Sequence, residues 1–199
     1  MLYALYLLCK VTKQQIRSKY KLLRQQISSK DKLRFDDLML LQFQQFNFNH
    51  IQTLLTYWPI ANNNEPNTHL FSSYLRHIIP NLQMAYPVSS FETNEMKAVL
   101  IDEETVYKTN EYGITEPKFG EEIEAPEIDL IFVPLFVCDT NGYRVGYGKG
   151  FYDKFLANCD ENVTTIGFSY FDPIDKIDDT NSFDIPLCCC ITPEHIYEF

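Results

Sequence analysis

The segment DLIFVPLFVC, residues 129–138, carries the strongest strand signal in the chain. Its apolar residues fall on both faces of an extended backbone, which is typical of a central strand covered by helices on each side of a sheet. Pro134 has no N–H to donate inside a sheet, so we expect a bulge or the end of the strand there. The turn signal DTNGYR, residues 139–144, follows directly.

Helix and strand signals alternate around this segment. Helices are predicted over residues 12–29 with Thr12 and Gln15 as a capping box, over residues 31–48 with Asp31 as the cap, after an Asn67 cap, and over residues 152–159. Further strands are predicted over residues 53–60, 82–88, 96–101, 163–170 and 185–192, with an acidic loop over 102–128. The alternation predicts an α/β fold of three layers, α/β/α, with a largely parallel sheet.

The length and composition fit one globular domain, which we assign to residues 12–199. The chain has 199 residues, 45% of them hydrophobic and 22% charged, and no apolar run approaches the ~20 residues of a membrane span. Residues 1–11 are an N-terminal extension of uncertain status. They lack the basic leader and cleavage site of a signal peptide, which leaves an extra strand or an added tail as the alternatives.

The six cysteines follow neither the spacing of a disulfide framework nor that of paired zinc ligands. We interpret them as small buried side chains in a reducing cytoplasm. Cys188, Cys189 and Cys190 are consecutive, so they would point to alternating faces of a strand.

Charge is distributed unevenly along the chain. The net charge is −10, yet residues 1–34 hold nine of the 17 Lys and Arg residues and a single acid, Asp31. The acidic remainder would repel nucleic acid, so a compact phosphate ligand is the better partner for the basic segment. Lys13 and Arg17 share one face of the predicted first helix. The alternative interpretation of that face is a solvated basic stripe.

The glycine-rich segment GYGKGFYD, residues 146–153, lies between a predicted buried strand and a predicted helix. Glycines allow close approach of a ligand to the backbone, and free N–H groups at a helix start form an anion site. Lys149 and Arg144 add positive charge, and the Asp153 carboxylate suits Mg²⁺ beside phosphates. The common phosphate motifs GxxxxGK[ST] and GxGxxG both fail here. A turn with an exposed lysine is the alternative.

The stretch RVGYGKGFYD, residues 144–153, resembles the signature of the 5-formyltetrahydrofolate cyclo-ligase family. Three shorter segments resemble that family in the same order: Lys13 with Arg17, NEPNT at residues 64–68, and FDIPL at residues 183–187. The resemblance implies a fold like that of ribose-phosphate isomerases and coenzyme A transferases. It also implies ATP- and Mg²⁺-dependent conversion of 5-formyltetrahydrofolate to 5,10-methenyltetrahydrofolate through a phosphorylated formyl group, with release of ADP and phosphate.

The resemblance also implies roles for individual residues. The implied ATP contacts are Lys13, Arg17, Arg144, Val145, Gly146, Tyr147, Gly148, Lys149, Gly150, Phe151 and Tyr152. The implied folate contacts are Ile60, Glu65, Tyr147, Gly148, Lys149, Gly150 and Phe151. Asp153 and Asp184 are the implied Mg²⁺ ligands, and Lys149 and Arg144 the groups that stabilise the transferred phosphoryl group. Asp184 has an alternative role in capping a turn before Pro186.

Other functions stay open beside this one. A different ATP-using enzyme on the same scaffold is one alternative, because a fold does not fix a function. A non-catalytic nucleotide- or folate-binding regulator is another, although Lys149 and Asp153 are both present. Phe151 stands where tyrosine is commoner in the family, so no hydroxyl-dependent step is assigned there. We expect small-molecule partners only, no nucleic acid or membrane, a monomer or weak dimer, and a cytoplasmic location.

Overall fold

The computed structural model describes residues 11–199. The predicted N-terminal extension, residues 1–11, therefore lies outside the described residues except for Val11, and Cys9 lies outside them too. The α-helices of this part of the chain are α1 (Lys13–Gln25), α2 (Ser29–Phe43), α3 (Thr68–Ile78) and α4 (Phe151–Leu156). The strands are β1 (Thr53–Leu55), β2 (Gln83–Ser90), β3 (Glu95–Leu100), β4 (Tyr107–Thr109), β5 (Thr115–Pro117), β6 (Glu122–Ile123), β7 (Leu130–Val133), β8 (Val137–Cys138), β9 (Arg144–Val145), β10 (Thr164–Phe168), β11 (Cys189–Ile191) and β12 (Ile196–Glu198).

One large sheet organises the molecule, with strand order β12-β11-β10-β7-β1-β2-β3-β6. Its five middle strands, from β11 to β2, are parallel to one another. The outer strands β12, β3 and β6 run antiparallel to their neighbours. The prediction of a largely parallel sheet is confirmed.

The central strands supply two separate cores, one on each face of the sheet. Leu54 and Phe132 pack with Phe43 of α2 and Phe71 of α3. The residues next to them in sequence, including Leu55, pack on the other face with α4. Successive side chains of a strand alternate between faces, and an apolar residue at every position fills both. This gives the three layers that the sequence predicts.

The segment over residues 129–138 departs from the prediction of one long strand. β7 ends at Val133, immediately before Pro134, and the chain resumes as β8, which pairs with β9 in a separate antiparallel hairpin. Proline cannot continue the ladder, so of the two outcomes expected there the strand end is observed. Ile16 and Tyr20 of α1 pack against Val137 and Val145 of this hairpin. The break thereby carries the glycine-rich segment over the end of the sheet.

Several predicted boundaries are wrong by a few residues. The Thr12–Gln15 capping box is present, but α1 ends at Gln25. The N-cap of α2 is Ser28, whose hydroxyl accepts from the Asp31 N–H at 3.1 Å. Asn67 precedes α3 without making a side-chain capping bond. Within the predicted loop 102–128, β4 and β5 form a hairpin. Nearby caps compete for the same free N–H groups, and tertiary contacts select among them.

The cysteines fall into two groups. Cys138, Cys189 and Cys190 are buried as predicted, and the last two contribute to opposite faces of the sheet. Cys188 is exposed and Cys159 half-buried, so the prediction of uniformly buried cysteines is wrong for these two. Among residues 11–199, no helix is long and apolar enough to cross a membrane.

Candidate functional site

A cavity of about 540 Å³ lies where β1 and β7 end, the position that parallel sheets reserve for ligands. Its lining comes from α1, the loop after β1, the β2–β3 and β4–β5 hairpins, Pro134 after β7, Arg144 with the glycine-rich segment, and Asp184. All predicted site residues line this cavity except Val145. Val145, in β9, is buried against α1, so its side chain does not face the cavity.

The glycine loop, residues 146–150, takes a shape that depends on two of its glycines. Gly148 has φ +85° and Gly150 has φ +72°, where side chains are strained. A Cβ on Gly148 would also lie 2.9 Å from Arg17 Nη2. Gly150 occupies the N-cap position of α4. The loop therefore lies directly against the guanidinium of Arg17.

The basic residues of α1 face this loop. Arg17 Nε donates to the Gly146 carbonyl at 2.7 Å. Lys13 Nζ lies 2.5 Å from Asp184 Oδ2. The alternative of a purely solvated basic stripe is therefore wrong for these two residues, which line the cavity and make specific contacts.

Arg144 is buried behind the loop, and its guanidinium is already paired. Nη2 donates to Asp153 Oδ1 at 2.9 Å and Nη1 to the Ile185 carbonyl at 2.5 Å. Its side chain is only 6% exposed. Burial lowers the pKa of Arg144, and the Asp153 carboxylate opposes that shift. These contacts favour a role in holding Asp153, while direct contact with a phosphoryl group stays a prediction.

Asp153 and Asp184 bring two carboxylates to the cavity wall. Within residues 11–199 no cluster of three or more His, Cys, Asp or Glu side chains is arranged to hold a metal. Mg²⁺ is commonly held by one or two carboxylates together with substrate phosphates, so this donor set fits a Mg²⁺ ion that arrives with a nucleotide. Asp184 also accepts from the Asn181 N–H at 2.7 Å, so its alternative role in a turn is present as well.

Glu65, on the loop after β1, also lines the cavity and is only 2% exposed. Its Oε2 accepts from the Ile60 N–H at 2.6 Å, and its Oε1 accepts from the Tyr147 hydroxyl. Burial raises the pKa of Glu65, and these two hydrogen bonds oppose the rise. The carboxylate is thus fixed in direction by its own loop and by the glycine loop.

The sequence reasoning missed two groups of residues. Arg24, buried at the far end of α1, donates to the Tyr147 hydroxyl at 2.9 Å. It lies seven residues after Arg17, two helical turns along the same face, a spacing that could have revealed it. Two aromatic neighbours of the predicted site residue Phe151 were also missed: Phe91, which meets it edge-on, and Tyr112, which stacks on Phe91. No periodic signal marks Phe91 and Tyr112, because they come from two separate turns.

Tyr152 presents an unusual polar atom. Its hydroxyl is buried and has no hydrogen-bond partner among residues 11–199. The residue lines the cavity, and burial raises the pKa of its phenol. A buried hydroxyl without a partner is costly, so this group suits a ligand that supplies one.

A comparison with a protein family covers most of the chain and agrees with the set of residues that line the cavity. The model of the 5-formyltetrahydrofolate cyclo-ligase family matches residues 9–171. The chain belongs to this family. The match includes the cyclo-ligase signature at residues 144–153 and the α1 residues that contact it.

Individual cyclo-ligase relatives support the assignment. A 5-formyltetrahydrofolate cyclo-ligase of Haemophilus influenzae is 36% identical over 88 residues, covering 42% of this chain and 46% of that relative. One of Escherichia coli K12 is 31% identical over 93 residues, covering 45% of this chain and 51% of that relative. The matched segments span about half the length of these two relatives.

A solved structure extends the likeness to nearly the whole chain. The NMR structure of Aquifex aeolicus 5,10-methenyltetrahydrofolate synthetase superposes with a TM-score of 0.76 at 25% identity, covering 94% of this chain and 92% of that one. The cyclo-ligase fold is therefore shared well beyond the best-matched sequence segments.

Proposed function

We propose that the protein is an ATP- and Mg²⁺-dependent 5-formyltetrahydrofolate cyclo-ligase. It forms 5,10-methenyltetrahydrofolate and releases ADP and phosphate. The observation that carries the proposal is that the glycine loop, the basic residues Lys13 and Arg17 and the buried carboxylate of Glu65 all line one cavity. A phosphate-binding side and a polar side for a second substrate are what such a reaction needs.

The chemistry requires two reactants held in line. The formyl oxygen attacks the γ-phosphorus and ADP leaves, which turns a poor leaving group into a phosphate. N10 of the folate then attacks the formyl carbon, the phosphate departs with the former formyl oxygen, and N10 loses its proton. Positioning and neutralisation of charge supply most of the acceleration in such transfers.

The cavity residues divide between the two substrates. Lys13, Arg17 and the glycine loop hold the triphosphate, and Lys149 stabilises the transferred phosphoryl group. Arg144 acts on it through Asp153. Ile60 and Glu65 contact the folate. Mg²⁺, held by Asp153 and Asp184 with phosphate oxygens, would offset charge that builds up on the triphosphate.

An absorbance assay tests this function. Purified protein with Mg-ATP and 5-formyltetrahydrofolate should accumulate the methenyl product, which absorbs in the long-wavelength ultraviolet, and omission of ATP should abolish the signal. Absence of turnover with ATP binding intact would refute the proposal. ADP release with some other substrate would favour a different ATP-using enzyme on this scaffold.

We further propose that the protein acts on small molecules in the cytoplasm, as a monomer or weak dimer, with residues 12–199 as its one domain. Its acidic net charge of −10 supports partners other than nucleic acid. Sedimentation at micromolar concentrations would test the oligomeric state.

A further inference from the structure

Three side chains from distant parts of the sequence form a hydrogen-bonded chain at the cavity wall: Arg24 of α1, Tyr147 of the glycine loop and Glu65 of the loop after β1. Arg24 Nη2 donates to the Tyr147 hydroxyl, which donates to Glu65 Oε1. Arg24 and Glu65 are each 2% exposed. Charged side chains are rarely buried so completely unless they are paired.

The direction of every hydrogen bond in this chain is fixed by chemistry. A tyrosine hydroxyl has one proton to donate and two lone pairs to accept. Arg24 Nη2 and Asn63 Nδ2 can only donate, and both reach the hydroxyl, at 2.9 and 3.3 Å. The Tyr147 proton must therefore point to Glu65. Both Glu65 oxygens face donors, Tyr147 and the Ile60 N–H, which is the arrangement that an ionised carboxylate needs.

Apart from this chain of hydrogen bonds, Arg24 has no charged partner among residues 11–199. Its Nη1 donates to the Leu135 carbonyl at 3.0 Å, and its guanidinium lies 4.1 Å from the Phe136 ring centroid. Its Nε has no partner among residues 11–199, and within that range it makes no direct ion pair. Its positive charge therefore acts on Glu65 through the Tyr147 hydroxyl.

We propose that Arg24 and Tyr147 are positioning residues that keep Glu65 ionised and aimed into the cavity. Because Tyr147 sits between Gly146 and Gly148, the same contact ties the folate-binding carboxylate to the conformation of the nucleotide loop. This inference rests on the proposed function, in which Glu65 contacts the folate. It assigns a purpose to a buried arginine that touches neither substrate.

The surroundings of Glu65 determine how this device responds to pH. The charged and titratable groups facing it are Arg24 of α1, Lys32 of α2, Tyr57 after β1, Tyr147 of the loop, Tyr152 of α4 and Tyr170 after β10. Burial raises the pKa of Glu65, whereas Tyr147, the Ile60 N–H, Arg24 and Lys32 lower it. An ionised carboxylate is lost as the pH falls through its pKa, so removing Tyr147 or Arg24 should move that loss to higher pH.

Tyr147→Phe is the decisive variant, because it keeps the ring and deletes only the shared hydroxyl. Tyr74→Phe is the matched control, since Tyr74 is half-buried and packs away from the cavity against Phe43. In Tyr147→Phe we expect the KM for 5-formyltetrahydrofolate to rise about 10-fold or more and the acidic limb of the pH profile to move upward. Arg24→Lys, which retains the charge, should change both quantities less than Arg24→Met.

A second measurement needs no substrate. The side-chain carboxyl ¹³C resonance of Glu65, assigned by its loss in Glu65→Gln, can be titrated in the ligand-free protein. Its midpoint should rise in Tyr147→Phe and not in Tyr74→Phe. An unchanged midpoint or an unchanged folate KM would each overturn the proposal. If the parent protein fails to turn over the folate while the midpoint still rises, the proposed function fails and the positioning device stands.

Discussion

The residues proposed to hold the nucleotide (the nucleotide side) and those proposed to hold the folate (the folate side) keep their charges in different ways. On the nucleotide side, Lys13 pairs with Asp184 and Arg144 with Asp153, and the lysine and both carboxylates remain partly exposed. On the folate side, Glu65 is sealed from water and every hydrogen bond around it has a fixed direction. Exposed pairs can exchange partners cheaply, whereas a buried network cannot. A bound ligand could therefore replace the ion pairs of the nucleotide side, whereas the hydrogen bonds of the folate side are already formed before the ligand binds.

The largest effect should come from Lys149 on the nucleotide side. Lys149→Ala should lower kcat by about 10²–10³-fold, as loss of a group that stabilises developing charge does. Its side chain is exposed, so the Tm should stay unchanged. Lys154→Ala, an exposed lysine outside the cavity lining, is the control in the same methenyl assay. A kcat close to the parent value would remove Lys149 from its assigned role.

The next effect should fall on the folate side. Glu65→Gln should raise the folate KM by about 10- to 100-fold, because an amide cannot accept both hydrogen bonds at full strength and carries no charge. The KM for ATP should change little. Asp139→Asn neutralises another buried carboxylate, which accepts from the Tyr143 and Ile177 N–H groups, and none of these three residues lines the cavity. Equal shifts in folate KM for the two variants would show that the effect is one of general packing.

A smaller effect is expected from the contact between the glycine loop and α1. Gly148→Ala should raise the KM for ATP about 10-fold, since its Cβ meets the Arg17 guanidinium and its φ is strained. Gly113→Ala has nearly the same φ, +77°, and no atom within 4 Å of its Cβ. The control thus isolates backbone strain from contact with Arg17. If both variants weaken ATP binding alike in a calorimetric titration, the contact is not the cause.

The smallest expected effect is a difference in salt dependence between the binding of ATP and the binding of 5-formyltetrahydrofolate. Raising the ionic strength from about 0.05 to 0.5 M should weaken ATP binding a few-fold, because the charges there are partly exposed. Binding of 5-formyltetrahydrofolate should respond less, since the Glu65 network is shielded from ions. Equal salt dependence in two parallel titrations would contradict the contrast between an exchangeable and a sealed side.

The sequence was most informative where a single residue type determines a local feature of the backbone, such as a helix start or a strand end. Thr12 and Gln15 cap α1 as expected, and Pro134 ends β7. The predicted ligand residues converge on one cavity, with Val145 as the exception. Boundaries were less certain, because Ser28 and Asp31 both suit a helix start and only packing chooses between them.

Arg24 shows what local patterns miss. As a sequence feature it is one more basic residue on a charged helix, and only its seven-residue spacing from Arg17 separates it from Lys19 and Lys21, which are exposed. Its importance arises from Tyr147, more than a hundred residues away, and from the loop that carries Glu65. The same holds for Phe91 and Tyr112, which pack together beside Phe151.

The sequence by itself determined the three-layer α/β fold and the family, because apolar periodicity and a ten-residue signature are properties of contiguous residues. It also named the residues proposed to bind phosphate and metal. Only the tertiary structure decided which of these charges are already paired. The pairing of a charge depends on its burial and on partners distant in sequence, and those are settled only when the chain has packed.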